Sequence, residues 1–177
     1  IALQKAEQVA QEIASLPEAK TEQAAVALVF DYPSLWATQI QPQGADYDGF
    51  KLAFKTYRAL RLLGQSIDII SPHMPLDGYR LIVAPHLVFA GEGFVEKAKT
   101  SDAHFLSGPR AGSRTDDHQI PANLPPGTLQ ELLGCKVERV ESLRPGTSIA
   151  LENGGAFTKW FEHLAVSEGT TVIERTS

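Results

Sequence analysis

One uninterrupted apolar run restricts the folds open to this chain more than any other feature. Residues 24–30 read AAVALVF and lead directly into Asp-Tyr-Pro-Ser, a turn-like sequence. A strand that is apolar at every position, rather than at alternate ones, is typical of a parallel sheet covered by helices on both faces. The run therefore predicts an α/β fold with a mainly parallel sheet.

The remaining segments alternate between strand and helix patterns, as that fold requires. Strands are predicted at residues 24–30, 67–70, 79–84, 103–107, 137–140 and 170–174, and helices at residues 1–16, 47–63, 128–133 and 157–164 and in a short segment after Gly91. The first helix ends at Pro17, and a polar linker follows it. We expect residues 24–177 to form a flavodoxin-like three-layer α/β/α sandwich.

Composition excludes several classes of protein. A chain of 177 residues is long enough for one buried core. Its formal charge of −5, with 16 scattered lysines and arginines, argues against a nucleic-acid partner. Since no apolar run approaches the roughly 20 residues of a membrane span and no signal peptide is recognisable, we expect a cytoplasmic protein without a membrane partner. Cys135 is the only cysteine, and the five histidines do not have the spacing of a metal-binding motif. We therefore expect neither a metal nor another cofactor.

The loops that follow the strands' carboxyl ends are where function collects in such folds. The first of them, residues 31–43, carries Asp31, Ser34 and Trp36. Ser34 and Thr38 are weak candidates for phosphate binding, because the loop lacks a glycine-rich run. Trp36 is a candidate sugar platform or interface anchor, or it covers the local core. His86, at the tip of the third strand, is a candidate binding residue.

A further loop, after the fourth strand, has the spacing of a nucleophile elbow. Gly108-Pro109-Arg110-Ala111-Gly112 places two glycines four residues apart on a strand-to-helix turn, as elbows do. The apex is Arg110, which cannot lose its proton at physiological pH and so cannot be a nucleophile. If the elbow geometry is kept, its N–H groups and Arg110 offer only a corner for an anion or a hydroxyl group.

Several motifs in series resemble the middle domain of family 42 glycoside hydrolases, the bacterial β-galactosidases. They are VFDYPSLWA (29–37), YRALRLLGQSIDIISP (57–72), DGYRLIVAP (77–85), FLSGPRAG (105–112), LPPGTLQELLG (124–134) and WFE (160–162). That domain is similar in fold to class I glutamine amidotransferases and is known as the trimerisation domain. The resemblance places Arg110 at the amidotransferase cysteine and Pro85-His86 at the oxyanion loop, so it implies no glutaminase activity.

The resemblance also implies how the chain is organised and what its parent protein does. Residues 1–23 are expected to be the last helix of a missing catalytic TIM barrel plus a linker, and residues 24–177 a trimerisation domain truncated at its carboxyl end. The parent is expected to hydrolyse terminal non-reducing β-D-galactosides with two barrel glutamates and a retaining mechanism, as a homotrimer. We expect this chain alone to be inactive. Asp31, Ser34, Trp36, His86 and Arg110 are then candidates for a subunit interface or for the wall of a neighbouring active site.

Two other functions stay open at this point. The chain could be a free-standing amidotransferase-like enzyme that uses another residue, or a module that binds a sugar or an anion. One structural expectation is independent of this choice. The apolar stripe of Val9, Ile13 and Leu16 on the first helix is expected either to pack against its own domain or to contact another copy.

Overall fold

Four parallel strands form the central sheet of the structure, a computed structural model that describes residues 2–17, 22–44 and 46–177. The strands are β1 (Val26–Val29), β2 (Ile67–Ile70), β3 (Leu81–Ala84) and β4 (His104–Ser107). They lie in the order β2-β1-β3-β4, with Val26 opposite both Ile67 and Leu81. The α/β fold with a parallel sheet is therefore confirmed.

The inner strands, β1 and β3, form the core because they carry apolar side chains on both faces of the sheet. All four residues of β1 are buried, and so are Ile82, Val83 and Ala84 of β3. Leu76, Leu87 and Phe94 pack against them from the neighbouring loops and helix. Burying side chains of this size contributes about 1.5–3 kcal/mol each, so these two strands supply much of the driving force for folding.

The described residues form five α-helices, two of which begin at an aspartate cap. They are α1 (Ala2–Ser15), α2 (Tyr32–Ile40), α3 (Gly49–Leu62), α4 (Glu92–Thr100) and the short α5 (Gln130–Leu133), which a 3₁₀ turn at Gly127–Leu129 precedes. The Asp48 carboxylate accepts from the N–H of Lys51 at the start of α3. Gly134 ends α5 in the left-handed conformation, with φ of 62°, as its position in the sequence predicts.

The segment predicted as the first functional loop contains a helix that the sequence pattern does not predict. Residues 31–43 were expected to be a loop, but α2 occupies most of that range. Pro33 lies in the first helical turn, where the absence of an N–H costs nothing, and Asp31 caps that turn by accepting from the N–H of Ser34 at 2.9 Å. Pro33, which suggests a helix break in the sequence, therefore lies in the first turn of a helix.

The carboxyl-terminal third differs more from the prediction. The fifth strand, β5 (Cys135–Ser142), does not extend the parallel sheet but pairs in antiparallel register with β8 (Trp160–Val166). The predicted helix at 157–164 is wrong, because most of it is β8. Apolar residues at 160, 161 and 164 have helix-like spacing, yet pairing with β5 overrides that preference. The small strands β6 (Ile149–Ala150) and β7 (Ala156–Phe157) form a separate pair.

Two further predictions concern the ends of the chain. Residues 170–174, all within the described range, form neither strand nor helix, so the sixth predicted strand is wrong. The apolar stripe of α1 is exposed at Val9, Ile13 and Leu16, and no part of the described chain covers it. That α1 contacts another copy remains a prediction. Most of the predicted linker, residues 18–21, lies outside the described residues.

None of the described helices is both long and apolar enough to cross a bilayer.

Candidate functional site

A cluster of buried polar side chains lies at the carboxyl ends of β1 and β3. The sheet order places β2 and β3 on opposite sides of β1, so the chain reverses its winding direction at this point, where α/β folds commonly bind ligands. Asp31, Ser34, Thr38 and His86 are all buried there. The structure therefore brings together three of the five predicted site residues, namely Asp31, Ser34 and His86.

Ser34 connects α2 to the loop after β3. Its hydroxyl donates to the Asp31 carboxylate and accepts from the N–H groups of Val88 and Phe89 at 2.9 and 3.2 Å. The side chain is completely buried, with 0 % of its surface exposed. Because the hydroxyl proton points to Asp31 and two loop N–H groups converge on Ser34, these donors are not free to hold a reacting oxyanion. Their role is structural.

His86 lies in the same cluster with both ring nitrogens occupied. Its Nε2 is 3.1 Å from the Thr38 hydroxyl, and its Nδ1 is 3.0 Å from the Tyr47 hydroxyl. The Thr38 hydroxyl also lies 3.0 Å from the Leu35 carbonyl, to which it donates, so it accepts from Nε2–H. The Tyr47 hydroxyl is then the donor to Nδ1, and the imidazole is neutral.

The environment of His86 keeps that neutral form. Burial, assisted by the nearby Arg110 charge and opposed by the hydrogen bond to the Ser34 carbonyl, lowers its pKa from 6.5 to about 4. Gly49, the first residue of α3, lies against the imidazole, and a Cβ there would be 2.4 Å from its nearest ring atom. His86 is therefore packed as an internal hydrogen-bonding group and is not poised as a general base.

The Gly-Pro-Arg-Ala-Gly turn has the geometry of a nucleophile elbow. Arg110 at its apex has a φ of 65°, in the left-handed region that residues with a Cβ seldom adopt. Gly108 and Gly112 are both required by close approach, since a Cβ on them would lie 2.1 Å from the Pro85 carbonyl and 2.2 Å from the Pro126 carbonyl. The elbow is therefore retained in shape without a nucleophile.

The Arg110 side chain is buried and ties the elbow to the segment before α3. Its Nη1 donates to the Pro42 carbonyl at 2.8 Å, and its Nη2 is 3.4 Å from the Gln43 side-chain oxygen. The guanidinium carbon lies 4.8 Å from the ring centroid of Tyr47 and 5.0 Å from that of Trp160. A cation held between two aromatic faces stabilises by electrostatic attraction to both rings. Burial lowers the pKa of Arg110, but an arginine pKa starts high enough for the charge to persist.

Glu162 completes this clamp from strand β8. Its Oε1 accepts from the Arg110 N–H and from the Trp160 Nε1–H, both at 2.8 Å. Trp160 and Glu162 lie two residues apart on a strand and therefore share one face. The N–H at the elbow apex, predicted as part of a corner for an anion or a hydroxyl group, is thus already paired with a carboxylate.

Tyr47, Trp160 and Glu162 were not predicted as site residues. Tyr47 was placed at the start of a helix, and it lies instead in the loop before α3, where its ring packs 5.6 Å from the His86 ring. Trp160 and Glu162 were placed on a helix, where a spacing of two residues would separate them. The motif WFE was the one available signal, and an assignment of that segment to a strand would have brought both side chains to one face.

Trp36 lies apart from the buried cluster. It sits on the outer face of α2, with 57 % of its surface exposed, and its ring centroid is 5.8 Å from that of Tyr32. Position and exposure place it on the protein surface, not over the local core.

The part of the chain that the structure describes has few other groups that could bind a metal or act as a nucleophile. No cluster of three or more histidine, cysteine or acidic side chains there has the arrangement needed to hold a metal ion. Cys135 is half-buried at the start of β5, and burial raises the pKa of its thiol, which makes it a poor nucleophile. A largely apolar cleft of about 660 Å³ lies beside it, between α3, β4 and β8.

Comparison with known proteins gives one consistent result. The family model described as the beta-galactosidase trimerisation domain matches residues 24–177. A β-galactosidase from Thermus thermophilus is 42 % identical over 164 residues, which cover 89 % of this chain and 25 % of that protein. β-Galactosidase BgaA from a Thermus species is 46 % identical over 182 residues, covering 97 % of this chain and 28 % of that protein.

Solved structures agree with the sequence relatives. β-Galactosidase from the psychrophilic Marinomonas ef1 superposes with a TM-score of 0.82 at 36 % identity, covering 97 % of this chain and 26 % of that one. The Halorubrum lacusprofundi β-galactosidase gives 0.83 at 30 % identity, covering 94 % of this chain and 25 % of that one. The chain thus spans about a quarter of the length of each of these proteins.

Proposed function

Because the chain belongs to the family of β-galactosidase trimerisation domains, we propose that it is the non-catalytic assembly domain of a β-galactosidase. In this role it brings three copies of the parent protein together and carries no reacting group of its own. The observation that carries the proposal is the elbow whose apex is Arg110, with the apex N–H and the guanidinium both hydrogen-bonded inside the protein.

The occupied donors support this role in physical terms. Acyl-transfer chemistry needs a nucleophile, a base to activate it and N–H groups free to hold an oxyanion. Here the apex is a guanidinium, His86 has both nitrogens hydrogen-bonded, and the Val88 and Phe89 N–H groups donate to Ser34. The former catalytic geometry therefore serves as a scaffold.

The parent protein, on this proposal, hydrolyses terminal non-reducing β-D-galactosides as a cytoplasmic homotrimer. Its catalytic groups are two glutamates of a TIM barrel, acting as nucleophile and acid/base in a retaining mechanism. Residues 1–23 then represent the last barrel helix and a linker, and residues 24–177 the assembly domain. The similarity to β-galactosidases four times longer supports a parent of that kind.

An activity assay on two proteins tests the proposal. The 177-residue chain and the longest product of its gene are each incubated with nitrophenyl β-D-galactoside. We expect turnover by the long form alone, and its loss when either of two strand-end glutamates upstream is changed to glutamine. Turnover by the 177-residue chain, or a long form without galactosidase activity, would contradict the proposal.

The alternative functions have less support from the geometry. A free-standing amidotransferase-like enzyme lacks an activated nucleophile at the elbow, as described above. An anion-binding module would need the elbow N–H, which Glu162 already accepts from. Calorimetry with galactose, lactose and phosphate tests the binding module, and heat of binding with any of them would revive it.

A further inference from the structure

An exposed aromatic patch lies on the surface formed by α2 and α3. It consists of Phe30, Tyr32, Trp36 and Phe50, hereafter the aromatic patch. The rings touch one another: Phe30 lies edge-on 5.1 Å from Tyr32 and 6.2 Å from Phe50, and Tyr32 is 5.8 Å from Trp36. Tyr32, Trp36 and Phe50 are 59, 57 and 57 % exposed. Contiguous exposed apolar surface of this kind marks an interaction site.

The helix that carries half of the patch has no charge on it. α2 reads YPSLWATQI, and its outer positions Tyr32, Trp36 and Ile40 recur every four residues, all exposed. A surface helix facing water ordinarily carries charged or polar side chains on its outer face. An uncharged, aromatic outer face indicates that another protein surface covers it.

The patch is held rigidly from below. The inner face of α2 is buried through Ser34, Leu35 and Thr38, and Asp31 caps the helix. Ser34 and Thr38 are hydrogen-bonded to Val88 and His86 of the loop after β3. A surface fixed in this way loses little conformational entropy when it binds, so aromatic side chains on it can contribute strongly to an interface. The buried polar cluster thus positions the aromatic patch.

From these observations we propose that the aromatic patch is the centre of the contact with a second copy of this protein. This inference rests on the proposed assembly function. All four residues lie within the 24–177 match to the trimerisation-domain model, whereas the apolar stripe of α1 lies outside it. Three copies in a closed ring meet through two different surfaces of each copy, and the patch is one of these two.

The area of the patch is large enough for the centre of a subunit interface but too small to be the whole interface. Three half-exposed aromatic rings offer about 300 Å² of surface, against the roughly 800 Å² that one partner contributes to a standard interface. Aromatic side chains near the centre of an interface commonly carry most of the binding energy. The remaining area then comes from the surrounding helices and loops.

The test compares the mass in solution of three forms of the longest gene product, measured by light scattering at micromolar concentration. They are the wild type, a Trp36→Glu/Phe50→Glu double variant, and the control Leu62→Glu, which changes a more exposed apolar residue at the far end of α3. We expect the wild type and the control to be trimers and the double variant to be a monomer. The association of the double variant should be weakened at least about 100-fold, with its circular dichroism unchanged.

Each other outcome has a definite meaning. A wild type that is not a trimer overturns the proposed function, and this inference with it. A trimeric wild type with a trimeric double variant overturns the inference alone, and a lower unfolding temperature in that trimer would assign the patch to a contact within one chain. Loss of assembly by the control as well would also overturn it. If the glutamate variant fails to fold, Trp36→Gln/Phe50→Gln removes the aromatic area without added charge and is judged in the same way.

Discussion

The backbone N–H of Arg110 donates to the Glu162 carboxylate over 2.8 Å, joining residues 52 apart in sequence. In an elbow with a catalytic nucleophile, the residue at this apex carries the reacting group. Here the same position has become a clamp, with the guanidinium between Tyr47 and Trp160. The turn at Arg110 therefore fixes the antiparallel pair of β5 and β8 to the main domain.

Removing the charge at the elbow apex is expected to destabilise the domain. Arg110→Met keeps much of the side-chain volume but leaves the Pro42 carbonyl without its donor and removes the cation from between the two rings. We expect a loss of about 2–4 kcal/mol in the free energy of unfolding by urea. The control Arg58→Met, on the exposed side of α3, is expected to change it by less than about 0.5 kcal/mol. Equal effects of the two changes would argue against the clamp.

Restoring a thiol at the apex is expected not to create an amidotransferase. In Arg110→Cys the Val88 and Phe89 N–H groups would still donate to Ser34, and His86 would still have both ring nitrogens hydrogen-bonded. We therefore expect no release of ammonia from glutamine above the uncatalysed rate. Measurable glutaminase activity in this variant would show that the catalytic surroundings are intact, contrary to our account.

Much of the fold could be predicted from sequence, but the clamp could not. The AAVALVF run favours a strand buried on both faces, and its residues 26–29 form β1 as expected. Segment 157–164 has residues compatible with either helix or strand, and only its pairing with β5 decides between them. Arg110 and Glu162 meet through that pairing, so no local pattern could bring them together. The turn at Pro33 was misjudged because a proline in the first turn of a helix looks like a break.

His86 is expected to make the stability of the domain depend on pH. Its pKa falls from 6.5 to about 4 on folding, so the unfolded chain binds a proton more readily between these values. The stability that the neutral His86 imidazole contributes is therefore present above pH 6.5 and is lost as the pH falls toward 4. At about 1.4 kcal/mol per pH unit it amounts to about 3 kcal/mol.

Urea unfolding at pH 7 and pH 4 measures this effect. The wild type is expected to lose about 3 kcal/mol more than a His86→Gln variant does over that range. His73→Gln, which changes an exposed histidine, is expected to behave like the wild type. A pH dependence that is the same in wild type and His86→Gln would rule out the buried neutral imidazole.

Two glycine substitutions distinguish close packing from simple helix propensity. Gly49→Ala would place a Cβ 2.4 Å from the buried His86 ring, whereas a Cβ at Gly93 in α4 meets nothing within 4 Å. We expect Gly49→Ala to destabilise by about 1–3 kcal/mol and Gly93→Ala to stabilise by up to about 1 kcal/mol. Thermal unfolding of both variants measures the contrast, and an unaffected Gly49→Ala protein would show that the imidazole is not held in place.

The mass in solution of the longest product of the gene tests the central claim most directly. Multi-angle light scattering at micromolar concentration is expected to give three times the mass of one chain, because the domain at residues 24–177 is proposed to hold three copies together. A particle with the mass of a single chain would contradict the assembly function.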